Sequence, residues 1–178
     1  MANLQVATLA GGCFWCIEAV FKRIDGVNNV VSGYTGGFIK NPSYREVCKG
    51  ITGHAEGVII DFDSNIVSYK DLLEVFFAVH NPTTLNRQGN DIGTQYRSAI
   101  FYTNEKQKII AKQTIMQIDS SNIFESPVVT SVEEFKTFFE AEIEHSDYYD
   151  LNKNQPYCQF VISPKIKLIK KLFDDKLK

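Results

Sequence analysis

The strongest restriction on the fold of this chain is a change of apolar period that recurs along its first half. Leu4 to Leu9 alternates apolar and polar residues and ends in Ala10-Gly11-Gly12, the pattern of a strand entering a tight turn. From Trp15 to Ile24 the apolar residues Ile17, Val20, Phe21 and Ile24 fall at helical spacing, and Gly26 stops the run. Val27 to Ser32 and Ala55 to Asp63 read as further strands. Ser68 with Asp71 makes a capping-box-like start for an apolar helix through Leu72, Leu73, Val75, Phe76, Phe77 and Val79, which ends before Pro82. Ser98 to Thr103 closes the series as a fourth strand. The order βαββαβ is the split-βαβ arrangement and predicts a ferredoxin-like, two-layer α+β sandwich. A helix over Glu105 to Ile118, a strand over Val128 to Ser131 and a helix over Val132 to Ile143 are expected as additions. The tail from His145 reads as irregular and polar. Ser163-Pro164 then opens a short basic helix with Leu168, Ile169, Leu172 and Phe173 on one side.

No repeat or linker divides the sequence, so residues 1–178 are expected to form a single catalytic domain, with 145–178 as its tail. At 44% hydrophobic and 22% charged residues the chain is too apolar for disorder. It has no run of 18 apolar residues to span a membrane. A formal charge of -2 gives no electrostatic reason for a nucleic-acid partner. Met1 to Gln5 lacks the basic and apolar regions of a signal peptide. The four cysteines, Cys13, Cys16, Cys48 and Cys158, are therefore expected as reduced thiols in the cytoplasm.

The sharpest local signal is Gly11-Gly12-Cys13-Phe14-Trp15-Cys16, placed where a strand turns into a helix. A thiol at a helix N-terminus sees the positive end of the dipole and free amide donors, both of which favour the nucleophilic thiolate. Phe14 and Trp15 can wall a small apolar pocket for a methyl or sulfur group, although core packing is their commoner use. Cys13 and Cys16 form a C-x-x-C pair, which also admits a thioredoxin-like dithiol. Two bulky aromatics between the cysteines oppose a flat protein partner. Zinc needs a second close ligand pair, which Cys48, Cys158, His54, His80 and His145 do not supply.

Two long segments, one on each side of the third strand, carry Tyr44, His54, Arg87, Asp91 and Tyr96, and such loops are commonly functional. Glu56, between Ala55 and Gly57-Val58, can face an apolar site. A desolvated carboxyl keeps its proton near neutral pH, which makes Glu56 a candidate general acid. Tyr44 and Tyr96 can donate phenolic hydrogen bonds, and half-buried structural tyrosines are the alternative. Asp91, in Gln88-Gly89-Asn90-Asp91-Ile92-Gly93, reads most simply as a turn former.

The Gly-Cys-Phe-Trp run after a strand resembles the signature of A-type peptide methionine sulfoxide reductases. Asn41 to Cys48, Thr52 to Glu56, Gln88 to Asp91, Gly93 to Ser98, and the tail residues His145, Tyr148, Asn154 and Tyr157-Cys158 resemble the family in the same order. The resemblance implies a cofactor-free, metal-free enzyme that reduces methionine (S)-sulfoxide, free or in proteins. Cys13 would attack the sulfoxide sulfur, Phe14 and Trp15 would hold the methyl group, and Glu56 would protonate the oxygen. Tyr44 and Tyr96 would hydrogen-bond that oxygen, and Asp91 would order the site. Cys13 would become a sulfenic acid, a second thiol would condense with it, and thioredoxin would reset the disulfide.

The chain departs from the commoner pattern at Cys16, where glycine usually follows Phe-Trp. Cys158 matches the usual resolving position and is favoured as the first partner. Cys16 needs little loop closure, and a relay through both remains open. Cys48 and His54 are expected to be structural. A monomer is expected.

Overall fold

The computed structural model describes residues 1–178. The chain runs β1 (Leu4–Gly11), α1 (Phe14–Phe21), β2 (Val27–Thr35), α2 (Tyr44–Cys48), β3 (Ala55–Asp63), α3 (Tyr69–Val79), the short hairpin β4 (Arg87–Gln88) and β5 (Asp91–Ile92), and β6 (Ser98–Tyr102). Then come α4 (Glu105–Ser120), β7 (Ser131–Glu134), β8 (Phe138–Glu140), α5 (Tyr148–Leu151) and α6 (Ser163–Leu172).

Six strands form one sheet in the order β7-β6-β1-β3-β2-β8. Its centre is antiparallel throughout: β1 pairs with β3 and β6, and β2 with β3. The four strands read from sequence thus lie in the order fourth-first-third-second, as the split-βαβ arrangement requires. Helices α1 and α3 cover one face, and α6 packs against both. Period-two alternation sends Leu9, Tyr34, Val58, Ile60, Phe62 and Ile100 to the helix side, all with no exposed surface. A smaller cluster of Ala10, Ala55, Ala99 and Phe101 forms apart from that core.

Local chemistry fixes the helix starts. Ser68 and Asp71 make the reciprocal capping box at α3, and Ser43 with Glu46 makes one at α2. Gly11 and Gly12 carry the β1-to-α1 turn. A Cβ on Gly11 would lie 2.7 Å from the Phe76 ring, and Gly12 has φ +93°.

The expected helix over Val132 to Ile143 does not form. Its apolar spacing fits a helix, but the segment breaks at Lys136-Thr137 and its halves pair with opposite edges of the sheet. β7 runs parallel to β6, and β8 runs antiparallel to β2. Edge strands with unpaired backbone groups thereby override local propensity. The strand expected over Val128 to Ser131 starts only at Ser131. The Val128 amide is given to Asp119 and the Val129 amide to the Pro82 carbonyl. The tail is helical rather than irregular: a π-helical turn over Cys158–Ile162 runs straight into α6. The buried residues of that stretch are Cys158, Ile162, Ile166 and Ile169, whereas Leu172, expected on the inner side, is 53% exposed. No helix is long and apolar enough to cross a membrane.

Candidate active site

Cys13 is the N-cap residue of α1, and its side chain is buried beneath a cleft of about 340 Å³. Cys16, Gln88, Asn90, Asp91, Tyr157 and Lys165 also line that cleft. Larger cavities lie elsewhere on the surface and hold none of the cysteines.

Glu56 sits in the same inward row of β3 as Val58, Ile60 and Phe62, so pleat parity drives a carboxyl into the core. Its Oε2 accepts the Phe14 amide at 3.1 Å, while Oε1 is buried without a partner. Burial, reinforced by the charge of Asp91, pushes its pKa up to about 8, against the pull of the Phe14 amide. At neutral pH Glu56 is therefore a protonated acid with a hydroxyl to give.

Cys13 and Cys16 act electrostatically as one pair. Burial and the adjacent Cys16 raise the Cys13 thiol. The hydrogen bond from Cys13 lowers Cys16 to about 7, burial opposes this, and the charge of Lys165 assists. The helix start alone does not make Cys13 a standing thiolate. Of the two thiols, Cys16 is the more readily ionised.

The other side of Cys13 is aromatic. Phe14 is fully buried and packs on Tyr34, Tyr44 and His145 at ring-centroid distances of 5.7, 6.3 and 5.3 Å. The half-buried Trp15 stacks on Tyr148 at 3.7 Å, and its Nε1–H donates to His145 Nδ1 at 3.1 Å. Because Nδ1 accepts, the His145 proton resides on Nε2. Burial lowers the pKa of this histidine.

Glu142 ties the aromatic wall together. One oxygen accepts the Tyr34 hydroxyl at 2.7 Å and the other accepts the Tyr44 amide at 2.8 Å. Tyr44 and Tyr96 are half-buried, and burial raises both phenols, with the Glu56 charge adding to the rise. Asp91 accepts the Tyr157 hydroxyl at 2.8 Å, and the Tyr157 oxygen lies 3.6 Å from Cys16 Sγ. Cys158 is fully buried, and its thiol is raised by burial and by Cys16. Cys48 is exposed on α2. His54 bridges the Gly37 amide and the Ile39 carbonyl.

The residues singled out from sequence thus fall into two adjoining groups around Cys13: the aromatic wall of Phe14, Trp15 and Tyr44, and the cleft with Cys16 and Asp91. Glu56 lies beneath them, bonded to the Phe14 amide, and Tyr96 lies within reach of its charge. Sequence reasoning missed Tyr34, Glu142 and Lys165. Tyr34 pairs with Glu56 across β2 and β3, so strand register would have exposed it. Glu142 lies in the segment whose apolar spacing suggests a helix that does not form. No group of three or more His, Cys, Asp or Glu side chains is arranged to hold a metal ion.

The family model for peptide methionine sulfoxide reductase matches residues 5–177. The chain is 55% identical to the peptide methionine sulfoxide reductase MsrA of Saccharolobus solfataricus over 175 residues, covering 98% of each chain. Its fold is similar to reduced Mxr1 of Saccharomyces cerevisiae, with a TM-score of 0.79 and 30% identity over 87% of this chain and 89% of that one. It is similar to methionine sulfoxide reductase A of Corynebacterium diphtheriae with a TM-score of 0.75 and 30% identity, over 85% of this chain and 76% of that one. Mxr1 in complex with Trx2 shares the fold at a TM-score of 0.55 and 21% identity, over 82% of this chain and 84% of that one. With Cys13 set between an aromatic wall and a buried acid, and with matches spanning nearly its whole length, the chain belongs to the peptide methionine sulfoxide reductase family.

Proposed function

We propose that this protein reduces methionine (S)-sulfoxide, free or within proteins, to methionine. The observation that carries this reading is the buried Glu56, bonded to the amide of Phe14, the residue next to Cys13, and held by burial at a pKa of about 8. A sulfoxide oxygen leaves poorly until it is protonated, so the reaction needs an acid beside a thiolate.

The methyl group lodges against Phe14 and Trp15, while the Tyr44 and Tyr96 hydroxyls meet the oxygen. Cys13 attacks the sulfoxide sulfur as its proton passes to Cys16, and Glu56 protonates the oxygen. The oxygen ends on the Cys13 sulfur as a sulfenic acid, which is a two-electron oxidation of Cys13, and the methionine sulfur gains that electron pair. Asp91 holds Tyr157 over Cys16. Cys16 and Cys158 supply the resolving thiols, and thioredoxin reduces the resulting disulfide. The enzyme works without cofactor as a cytoplasmic monomer, with residues 1–178 as one catalytic unit.

Incubation with each sulfoxide epimer and dithiothreitol tests this reading. Methionine should form from the S epimer and not with Cys13→Ser. Insulin-disulfide reduction without methionine release would instead favour a dithiol oxidoreductase using Cys13 and Cys16.

A further inference from the structure

The cleft over Cys13 contains one feature that the reduction step does not use. Its charged side chains are Asp91 and Lys165. Asp91 is engaged by the Tyr157 hydroxyl. Lys165 has no ion-pair or hydrogen-bond partner, although it is half-buried and six other lysines of the chain pair with carboxylates or carbonyls. A cation without a partner, lining the same cleft as a thiol pair, suits an anion formed there.

The thiol pair provides one. In the resting protein the Cys13 S–H is the largest influence lowering Cys16. That S–H is lost when Cys13 becomes a sulfenic acid. The phenolic proton of Tyr157 is committed to Asp91 at 2.8 Å. The groups around Cys16 are then Glu56 from β3, Asp91 from β5, and Tyr157, Cys158 and Lys165 from the tail. Lys165 is the cation among them.

We propose that Lys165 is a positioning residue for the second half of the cycle: its ammonium holds Cys16 as the thiolate that closes the first disulfide on Cys13, ahead of Cys158. This rests on the reductase reading above. Cys16 S⁻ attacks the Cys13 sulfur, the S–S bond forms, and the S–O bond breaks. Cys16 first releases the proton it took from Cys13 in the reduction step, and the departing hydroxide takes up that proton as water. Cys16 is oxidised, and the Cys13 sulfenic sulfur is reduced to the disulfide level.

The test gives the protein one equivalent of methionine (S)-sulfoxide without reductant. Samples are quenched in time with an alkylating agent for peptide mass mapping and methionine assay, across a range of pH. In the unaltered protein the Cys13–Cys16 disulfide should precede any disulfide of Cys158. Lys165→Met should still release one methionine per chain in the first turnover. It should close the Cys13–Cys16 bond about tenfold more slowly at neutral pH, with the pH midpoint of closure moved up by about one unit. Lys165→Arg should restore both, which a merely structural role would not produce. An unchanged closure rate and pH profile in Lys165→Met, or a Cys13–Cys158 bond formed first, would overturn the inference while leaving the reductase reading intact. Failure of the unaltered protein to release methionine would overturn that reading itself.

Discussion

The Phe14 amide donates to Glu56 Oε2 at 3.1 Å, which joins the first turn of α1 to the inward row of β3. This bond places a carboxyl directly beside the residue that follows Cys13. It uses only one carboxyl oxygen, and the other is buried without a partner. Such an orphan is costly in a core and is characteristic of sites kept for chemistry.

Glu56→Gln keeps an acceptor for the Phe14 amide but has no proton of comparable acidity. We expect substrate affinity to be retained and the single-turnover rate of methionine formation to fall by about 10²–10⁴-fold. Rapid-quench measurement of methionine at saturating sulfoxide checks this. An unchanged rate would remove Glu56 from the reaction.

The pH profile of that first turnover should be bell-shaped. The rising limb follows ionisation of the Cys13–Cys16 pair near 7, and the falling limb follows loss of the Glu56 proton near 8. Glu56→Gln should lose the falling limb and keep the rising one. A falling limb that persists in this variant would assign it to another group.

The same carboxyl makes stability depend on pH. Its pKa in the folded state is raised, so the native state binds a proton that the unfolded state has released. This contribution is fully present below the ordinary glutamate range and is lost as pH rises through about 8, at up to about 1.4 kcal/mol per pH unit. Denaturant titrations from pH 5 to 9, taken as a rough span of that window, should show a smaller decline in Glu56→Gln than in the unaltered protein.

Glu142 touches no substrate in this reading, yet it holds Tyr44 by its backbone and Tyr34 by its hydroxyl. The Glu142→Gln amide can accept from only one of them through oxygen. We expect kcat/KM to drop about tenfold as the Tyr44 phenol loses its position, in line with about 1–2 kcal/mol for a lost charge-assisted hydrogen bond. Steady-state kinetics with both variants should show Glu142→Asp recovering part of the loss.

Trp15→Phe removes the Nε1–H bond to His145 and leaves Nδ1 buried without a donor. We expect about 1–3 kcal/mol of destabilisation in equilibrium unfolding, with KM for the sulfoxide rising more than kcat falls.

Much of the fold is legible in the sequence because period-two and helical runs alternate cleanly from Leu4 to Thr103. β3 matches its expected span, and the parity of Glu56 with Val58, Ile60 and Phe62 makes its burial readable from strand alternation alone. The segment after Thr130 is not legible in the same way. Val132, Phe135, Phe138 and Phe139 suit either a helix or strands, and only the unpaired edges of β6 and β2 decide between them. That ambiguity also hides Glu142, whose contacts depend on β8 lying beside β2. Lys165 is hidden for a related reason. In the sequence it is one lysine of a basic helix, and only the packing of the tail puts it in the lining of the cleft with Cys13 and Cys16.

The most direct test of the central chemistry traps the sulfur that takes the oxygen. A Cys16→Ser, Cys158→Ser protein, given one equivalent of methionine (S)-sulfoxide and a sulfenic-acid-specific dione, should release one methionine per chain. It should carry one adduct, located on Cys13 by peptide mass spectrometry. Release of methionine with the adduct on Cys48, or with no sulfenic acid formed, would contradict the assignment of Cys13 as the nucleophile.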